Sequence, residues 1–291
     1  MLLFGTDPEM FLVDEKKKVI PPLVVEKMGL QRIGTLDEER PNYHPVYFDG
    51  DIMLIGDGAA FEFNTPPAFS VEELLASYAR GKEILQKIAD ETSLKIAAVP
   101  AAKFDLGMFG EYFPDPRNNE ELWYSCRFGC DAQHNVYQQG SKSPEIDAKD
   151  ILWRYAGGHI HASGFEFDVF EHYQNYVRLM DIIVGTGCLL HSPYKDLEFQ
   201  RQLFYGIPGN YRPQHYPNGA VGVEYRTPSV SWLETKLGVE QVFSGIKLIE
   251  KIILEGLAEE IIKEYNTMAV DAILQFDLAA AEKIQKNIRE L

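Results

Sequence analysis

The chain has 291 residues, 45% hydrophobic and 12% aromatic, which is enough for a sizeable core and excludes a disordered polymer. Lys and Arg number 28 against 44 Asp and Glu, a formal charge of −16, which excludes a broad basic face for nucleic acid. Three cysteines (Cys126, Cys130, Cys188) make no disulfide framework, no apolar run reaches membrane-spanning length and no basic leader precedes one, so the expected location is the cytoplasm.

Residues 2–13 read as a strand in which Asp7 and Glu9 precede the apolar run Phe11-Leu12-Val13. Pro8 removes a backbone donor, which places this segment at a strand end or a sheet edge. Residues 21–50 are turn-rich and read as loops with short strands. Residues 52–67, IMLIGDGAAFEFNTPP, read as two strands joined at Gly56-Asp57-Gly58. Ser70 and Glu73 form a capping box before a helix whose apolar side carries Leu74, Leu75, Tyr78, Ile84, Leu85 and Ile88.

Further along, 94–104 reads as a buried strand and 105–150 as irregular. His159, His161 and Ser163 alternate on one face of a strand at 156–167. A helix follows at 169–190, then a long loop at 198–220 rich in Tyr, Pro, Gly and Arg. Residues 221–232 form a strand with Glu224 and Arg226 on one face. From 237 to 291 the periodicity is helical, giving two or three helices. There is no repeat and no linker. The order of elements predicts a single domain over 1–291, α+β, with a largely antiparallel sheet.

Side chains alternate along a strand, so Asp7 and Glu9 share a face. Two carboxylates there repel unless solvated or offset by a cation. A plain edge strand with two solvated acids is one reading. Glu62 between two phenylalanines, the His159/His161 pair and the Glu224/Arg226 pair repeat the pattern on three more strands. Together they point to a site for Mn²⁺ or Mg²⁺, and for Zn²⁺ less exclusively. Cys126, Cys130 and His134 have the wrong spacing for structural zinc, and neither a P-loop, a zincin helix nor a GxSxG elbow occurs.

The set GTDPEMFLVD, EFNTPP, RYAGGHIHAS, YGIPGNYRP and VEYRTPS resembles, in order, the motifs of the glutamine synthetase-like catalytic fold. It is most similar to the phage-type carboxylate–amine ligases of that fold, the type 2 COOH–NH2 ligases or amidoligases. The match runs from residue 5 to about 232. The resemblance implies a curved antiparallel sheet flanked by helices with a helical C-terminus, and an ATP site with divalent cations. It implies Glu9 and Glu62 as ligands of one cation, with Asp57 the candidate third, and Asp7, His159 and Glu224 as ligands of a second. His161 and Arg226 resemble phosphate-contacting groups, and Arg212 resembles an arginine that neutralises phosphate or holds a substrate carboxylate. Arg201 and Arg154 are further candidates without motif support, and Tyr205, Tyr211 and Tyr216 are candidates to line a pocket.

The activity implied is ATP-dependent amide or peptide bond formation through an acyl phosphate, in the host cytoplasm if phage-encoded. The partners implied are a small-molecule or peptide carboxylate and an amine, with Asp57 or Asp131 as candidate bases. Neither nucleic acid nor membrane is expected as a partner, and oligomerisation is left open. Two other readings are open on the same residues. One is phosphotransfer from ATP to a guanidino group. The other is metal-dependent hydrolysis without ATP, which has less use for two site arginines.

Overall fold

The computed structural model describes residues 1–30, 35–36, 47–124, 134–138, 148–216 and 219–289. Cys126, Cys130 and Asp131 lie outside them. Eleven strands of the described residues form one sheet. Leu3–Val13 is its axis. The first half of that strand pairs antiparallel with Gly158–Ser163, setting Asp7 opposite His159. Glu9 and Met10 pair with Glu62 and Phe61 of Ala60–Asn64, and the last residues pair with Lys95–Ala97 and Val19–Ile20. Outward on one side come Val221–Tyr225 and then Asn210–His215. On the other side come Ile52–Asp57 and then Tyr47–Asp49.

Strand alternation makes this sheet two-faced. Residues in register share a face, so Asp7, Glu9, Glu62, His159, His161, Glu224 and Arg212 all point one way. Their neighbours Phe4, Met10, Phe61, Phe63, Ile160, Ala162, Val223 and Tyr225 point the other way and are buried. Helices cover this apolar face. Helix Val71–Thr92 starts at Ser70, whose hydroxyl caps Glu73 N–H, and packs Tyr78 against Phe63. Gly81 allows the approach, since a Cβ there would collide with the Phe63 ring. Helix Lys236–Leu254 brings Phe243 to within 4.0 Å of the Phe4 ring centre. Two more helices, Ala258–Gln275 and Leu278–Ile288, complete the C-terminal helical segment. The architecture is α+β, with an antiparallel sheet flanked by helices. No helix among the described residues is long and apolar enough to cross a membrane.

Several elements differ from the sequence expectation. Pro8 lies inside the central strand, not at an edge. Phe4 and Thr6 direct their backbone groups to Ala68 and Thr65, and alternation turns Pro8 to the same side. Pairing with Ala60–Asn64 registers only at Glu9 and Met10, so no ladder bond is lost. The segment 94–104 is two short strands in different sheets, Lys95–Ala97 and Ala101–Lys103, parted by Pro100. Within 21–50 there is a short helix, Pro22–Lys27, with proline at its first position.

The segment 198–220 is not a loop. It holds the end of helix Lys195–Gln202 and the strand Asn210–His215. Pro213 hides that strand from a propensity reading; among the described residues its outer side is paired at Asn210 and Tyr211 alone. The strand at 221–232 ends at Tyr225, and Val230–Glu234 is a 3₁₀ turn.

Candidate active site

The site-facing side of the central strand gathers five carboxylates. Oxygens of Glu9, Asp57 and Glu62 lie within 4.8 Å of one another, and so do ligand atoms of Asp7, His161 and Glu224. The hairpin explains Asp57. Its register pairs Asp57 with Ala60 and Ile55 with Glu62, so Asp57 and Glu62 share a face despite their odd spacing in sequence.

The two groups differ electrostatically. Burial pushes the Glu62 carboxyl well above its ordinary range, and Asp7, Asp57 and Glu9 push it further. Asn64 Nδ2 donates to it at 2.9 Å. Glu9 is also raised, by burial first and by Asp57, although the Gly157 N–H donates to it at 2.6 Å. The second group carries its own counter-charge. Burial pushes Glu224 up, but Arg226, hydrogen-bonded to it through Nη1, holds it below its usual range. Burial likewise raises Asp7, and His159 and His161 together more than reverse it. The same partnership leaves His161 above its ordinary value although burial pushes it down.

His159 sits between the groups and is fully buried. Its Nδ1 lies 3.2 Å from Asp7 Oδ1 and 3.5 Å from Glu224 Oε1, and its Nε2 lies 3.6 Å from Glu9 Oε1. Tyr205 OH donates to Glu9 Oε1 at 2.8 Å and lies 3.1 Å from His159 Nε2. Arg226 Nη1 lies 3.4 Å from His159 Nδ1. Asp7 Oδ1 is buried with no hydrogen-bond partner. Carboxylate oxygens gathered around a buried imidazole fit a cation, as does the Glu9, Asp57, Glu62 trio.

Among solved structures, the chain is similar to a ligand-free GmaS (13% identity, TM-score 0.42, 99% of this chain and 68% of that one). It is similar to a novel glutamine synthase homolog (10%, 0.43, 99% and 66%) and to a GmaS complex with ADP (13%, 0.39, 99% and 68%). The chain thus spans about two thirds of the length of each. No family model matches the chain and no curated protein matches it.

The arginines divide. Arg212 is in register with Glu224, reaches its Oε2 at 3.4 Å and keeps 30% of its side chain exposed at the rim. Arg226 is buried beneath, also touching Tyr205 OH at 3.2 Å. Arg201 is fully buried and donates to the Thr227 and Pro228 carbonyls, bracing the segment after Arg226. Arg154 lies over the Phe104 ring and donates to the carbonyls of Ala148, Ile151 and Trp153, in the two-stranded sheet.

The tyrosines divide too. Tyr205 is central, Tyr216 OH meets His161 Nδ1 at 3.1 Å, and Tyr211 packs on Tyr173 on the opposite face. Sequence reasoning missed Gln214, whose Nε2 donates to Glu224 Oε2 at 2.5 Å. Two-residue alternation from Arg212 would have found it, had the strand been recognised. It also missed Gly157. A Cβ there would collide with His159 Nε2, and the backbone of Gly157 clasps Glu9 by two hydrogen bonds.

Proposed function

We propose that the chain is an ATP-dependent carboxylate–amine ligase. The observation that supports this best is two acidic groups side by side on one sheet face, with an arginine at their rim. Metal-bridged phosphates need this combination: hard carboxylate donors for divalent cations and a guanidinium for the phosphate oxygens. The order of motifs along the chain supports the same reading.

In this reading Glu9, Asp57 and Glu62 would hold one Mg²⁺ or Mn²⁺. Asp7, Glu224 and His159 would hold a second, with His161 on the phosphate side. Bound cations would supply charge neutralisation of the triphosphate. The chain's own residues do the rest. Arg212 contacts an anion at the rim. Arg226 keeps Glu224 ionised and in place. Tyr205 holds His159 and Glu9 in place, and Tyr216 orients His161.

The chemistry answers a leaving-group problem, because oxide leaves a carboxylate far less readily than phosphate does. A carboxylate oxygen bonds the γ-phosphorus as the bond to ADP breaks. The amine nitrogen then bonds the acyl carbon, phosphate leaves, and the nitrogen gives up its proton.

The test is product analysis with ATP, Mg²⁺ or Mn²⁺, and a panel of amino-acid and peptide carboxylates with amines. ADP, phosphate and an amide in equal amounts are expected. ADP with a phosphorylated guanidine, or turnover of ester or peptide without nucleotide, would replace the ligase reading with phosphotransfer or hydrolysis.

A further inference from the structure

Beneath the sheet, on the face opposite the carboxylates, lies a buried polar hub that the reaction chemistry does not use. Helix Val169–Leu179 continues into a π-helical stretch, Met180–Gly185, and then into Thr186–Leu189. A π turn inserts a residue and frees backbone groups that need other partners. Here the Ile183 carbonyl accepts from Gln285 Nε2 at 2.7 Å, and Gln285 also reaches Thr186 Oγ1 at 2.9 Å. Helix Leu278–Ile288 therefore satisfies the irregular turn. The turn presents Asp181, which is fully buried.

Asp181 is an unusual group to bury away from any cation, and its partners show what it does. Its Oδ1 accepts from Tyr225 OH at 2.6 Å and from Gly209 N–H at 3.2 Å, and Thr227 Oγ1, which donates to the Ile207 carbonyl at 3.2 Å, lies 3.5 Å away. Its Oδ2 accepts from Tyr137 OH at 2.8 Å. Tyr225 and Thr227 flank Arg226, and Gly209 precedes the strand that carries Arg212 and Gln214. The two segments also meet directly, because Arg226 N–H donates to the Asn210 carbonyl at 3.0 Å.

Glycine is required at two points around the hub. A Cβ at Gly185 would strike the Tyr225 hydroxyl. Gly209 has φ +81°, and a Cβ there would strike the Tyr137 ring.

We propose that Asp181 is the positioning residue for the arginine-bearing half of the site. One carboxylate, offered by the π turn, ties Gly209 and the Tyr225–Thr227 segment together, so that Arg212, Gln214 and Arg226 converge on Glu224. Acceptor capacity is the reason for a carboxylate. Three donors from three segments meet two oxygens, and an amide in its place offers one accepting oxygen and an NH₂ that must either face Gly209 N–H and Tyr225 OH or displace the Tyr137 O–H. The effect on turnover rests on the ligase reading; the structural effect does not.

The test uses the full chain with Asp181→Asn and Tyr137→Phe, read by amide hydrogen exchange and by steady-state kinetics. For Asp181→Asn, exchange should rise at least tenfold in peptides covering 207–212 and 224–227 and stay unchanged in 3–13. kcat should fall at least tenfold with the KM for ATP within threefold. Tyr137→Phe keeps the bonds to Gly209 and Tyr225, so it should stay within threefold of the parent in both readouts.

Should Asp181→Asn fail to fold, Tyr225→Phe replaces it, with faster exchange expected at 224–227 alone. Unchanged exchange at 207–212 in Asp181→Asn overturns the proposal. So does a rise spread over the whole sheet, or an equal effect of Tyr137→Phe. A parent that turns over no nucleotide defeats the ligase reading, and the exchange data still decide the hub.

Discussion

Glu62 should make the metal-free protein less stable than it could be. Its oxygens lie within 4.8 Å of oxygens of Glu9 and Asp57. At that separation two full charges repel by about 3.5 kcal/mol at an effective dielectric constant of about 20. Burial adds to the cost, and the carboxyl avoids part of it by staying protonated above its ordinary range. A raised carboxyl means the folded state binds more protons than the unfolded one. Stability is therefore highest below the unfolded value near 4.5 and is lost as pH rises through the folded value.

Glu62→Gln keeps the shape and still accepts from Asn64 through its carbonyl. At pH 8 in chelator it should stabilise the chain by about 2–4 kcal/mol, read from urea midpoints at unchanged slope. The parent should gain about 2.7 kcal/mol from Mn²⁺ at a hundred times its Kd. The variant should lose that gain and keep only what binding at Asp7, Glu224 and His159 supplies. A variant that is less stable in chelator, or equally protected by Mn²⁺, would refute the trio as a cation site.

Three further outcomes follow from the geometry. Arg212→Lys should lower kcat about 10- to 100-fold and change the KM for ATP less than threefold, because a point charge cannot make a two-pronged contact; equal losses in both parameters would contradict it. Gly157→Ala should cost about 1–3 kcal/mol by overpacking against His159 and should abolish turnover, checked by thermal melts and activity. Asp181, pushed by burial from 3.8 to about 6, makes the folded state bind an extra proton between those values. The parent should lose stability relative to Asp181→Asn as pH rises across that window, by up to about 3 kcal/mol at about 1.36 kcal/mol per unit. A pH-independent difference would remove the assignment.

What the sequence disclosed and what it withheld have physical reasons. Alternation within a strand is local, so Asp7 with Glu9 and His159 with His161 could be assigned to common faces from spacing alone. Pairing between strands is not local. That Glu9 stands opposite Glu62, or that Asp57 joins them, depends on the register of a hairpin and of a sheet. The strand Asn210–His215 was hidden by Pro213 and the glycines before it, and Gln214 with it. Tyr205 looked like a loop aromatic because nothing near it in sequence says that its hydroxyl meets Glu9. Asp181 was invisible for a different reason: a π turn has no propensity signature, and its partners come from segments 28 to 44 residues away, Gly209 at one extreme and Tyr137 and Tyr225 at the other.

The central strand has a consequence for how the molecule comes into being. Asp7 faces His159 across a gap of 152 residues (159 − 7), and contacts that distant close slowly and late. During synthesis Asp7 emerges well before the imidazoles that balance it, and Glu224 with its Arg226 comes later still. The proposed corner of Asp7, His159 and Glu224 is thus a product of completed topology, whereas Glu9, Asp57 and Glu62 all precede the histidine strand and meet through a hairpin and its neighbour.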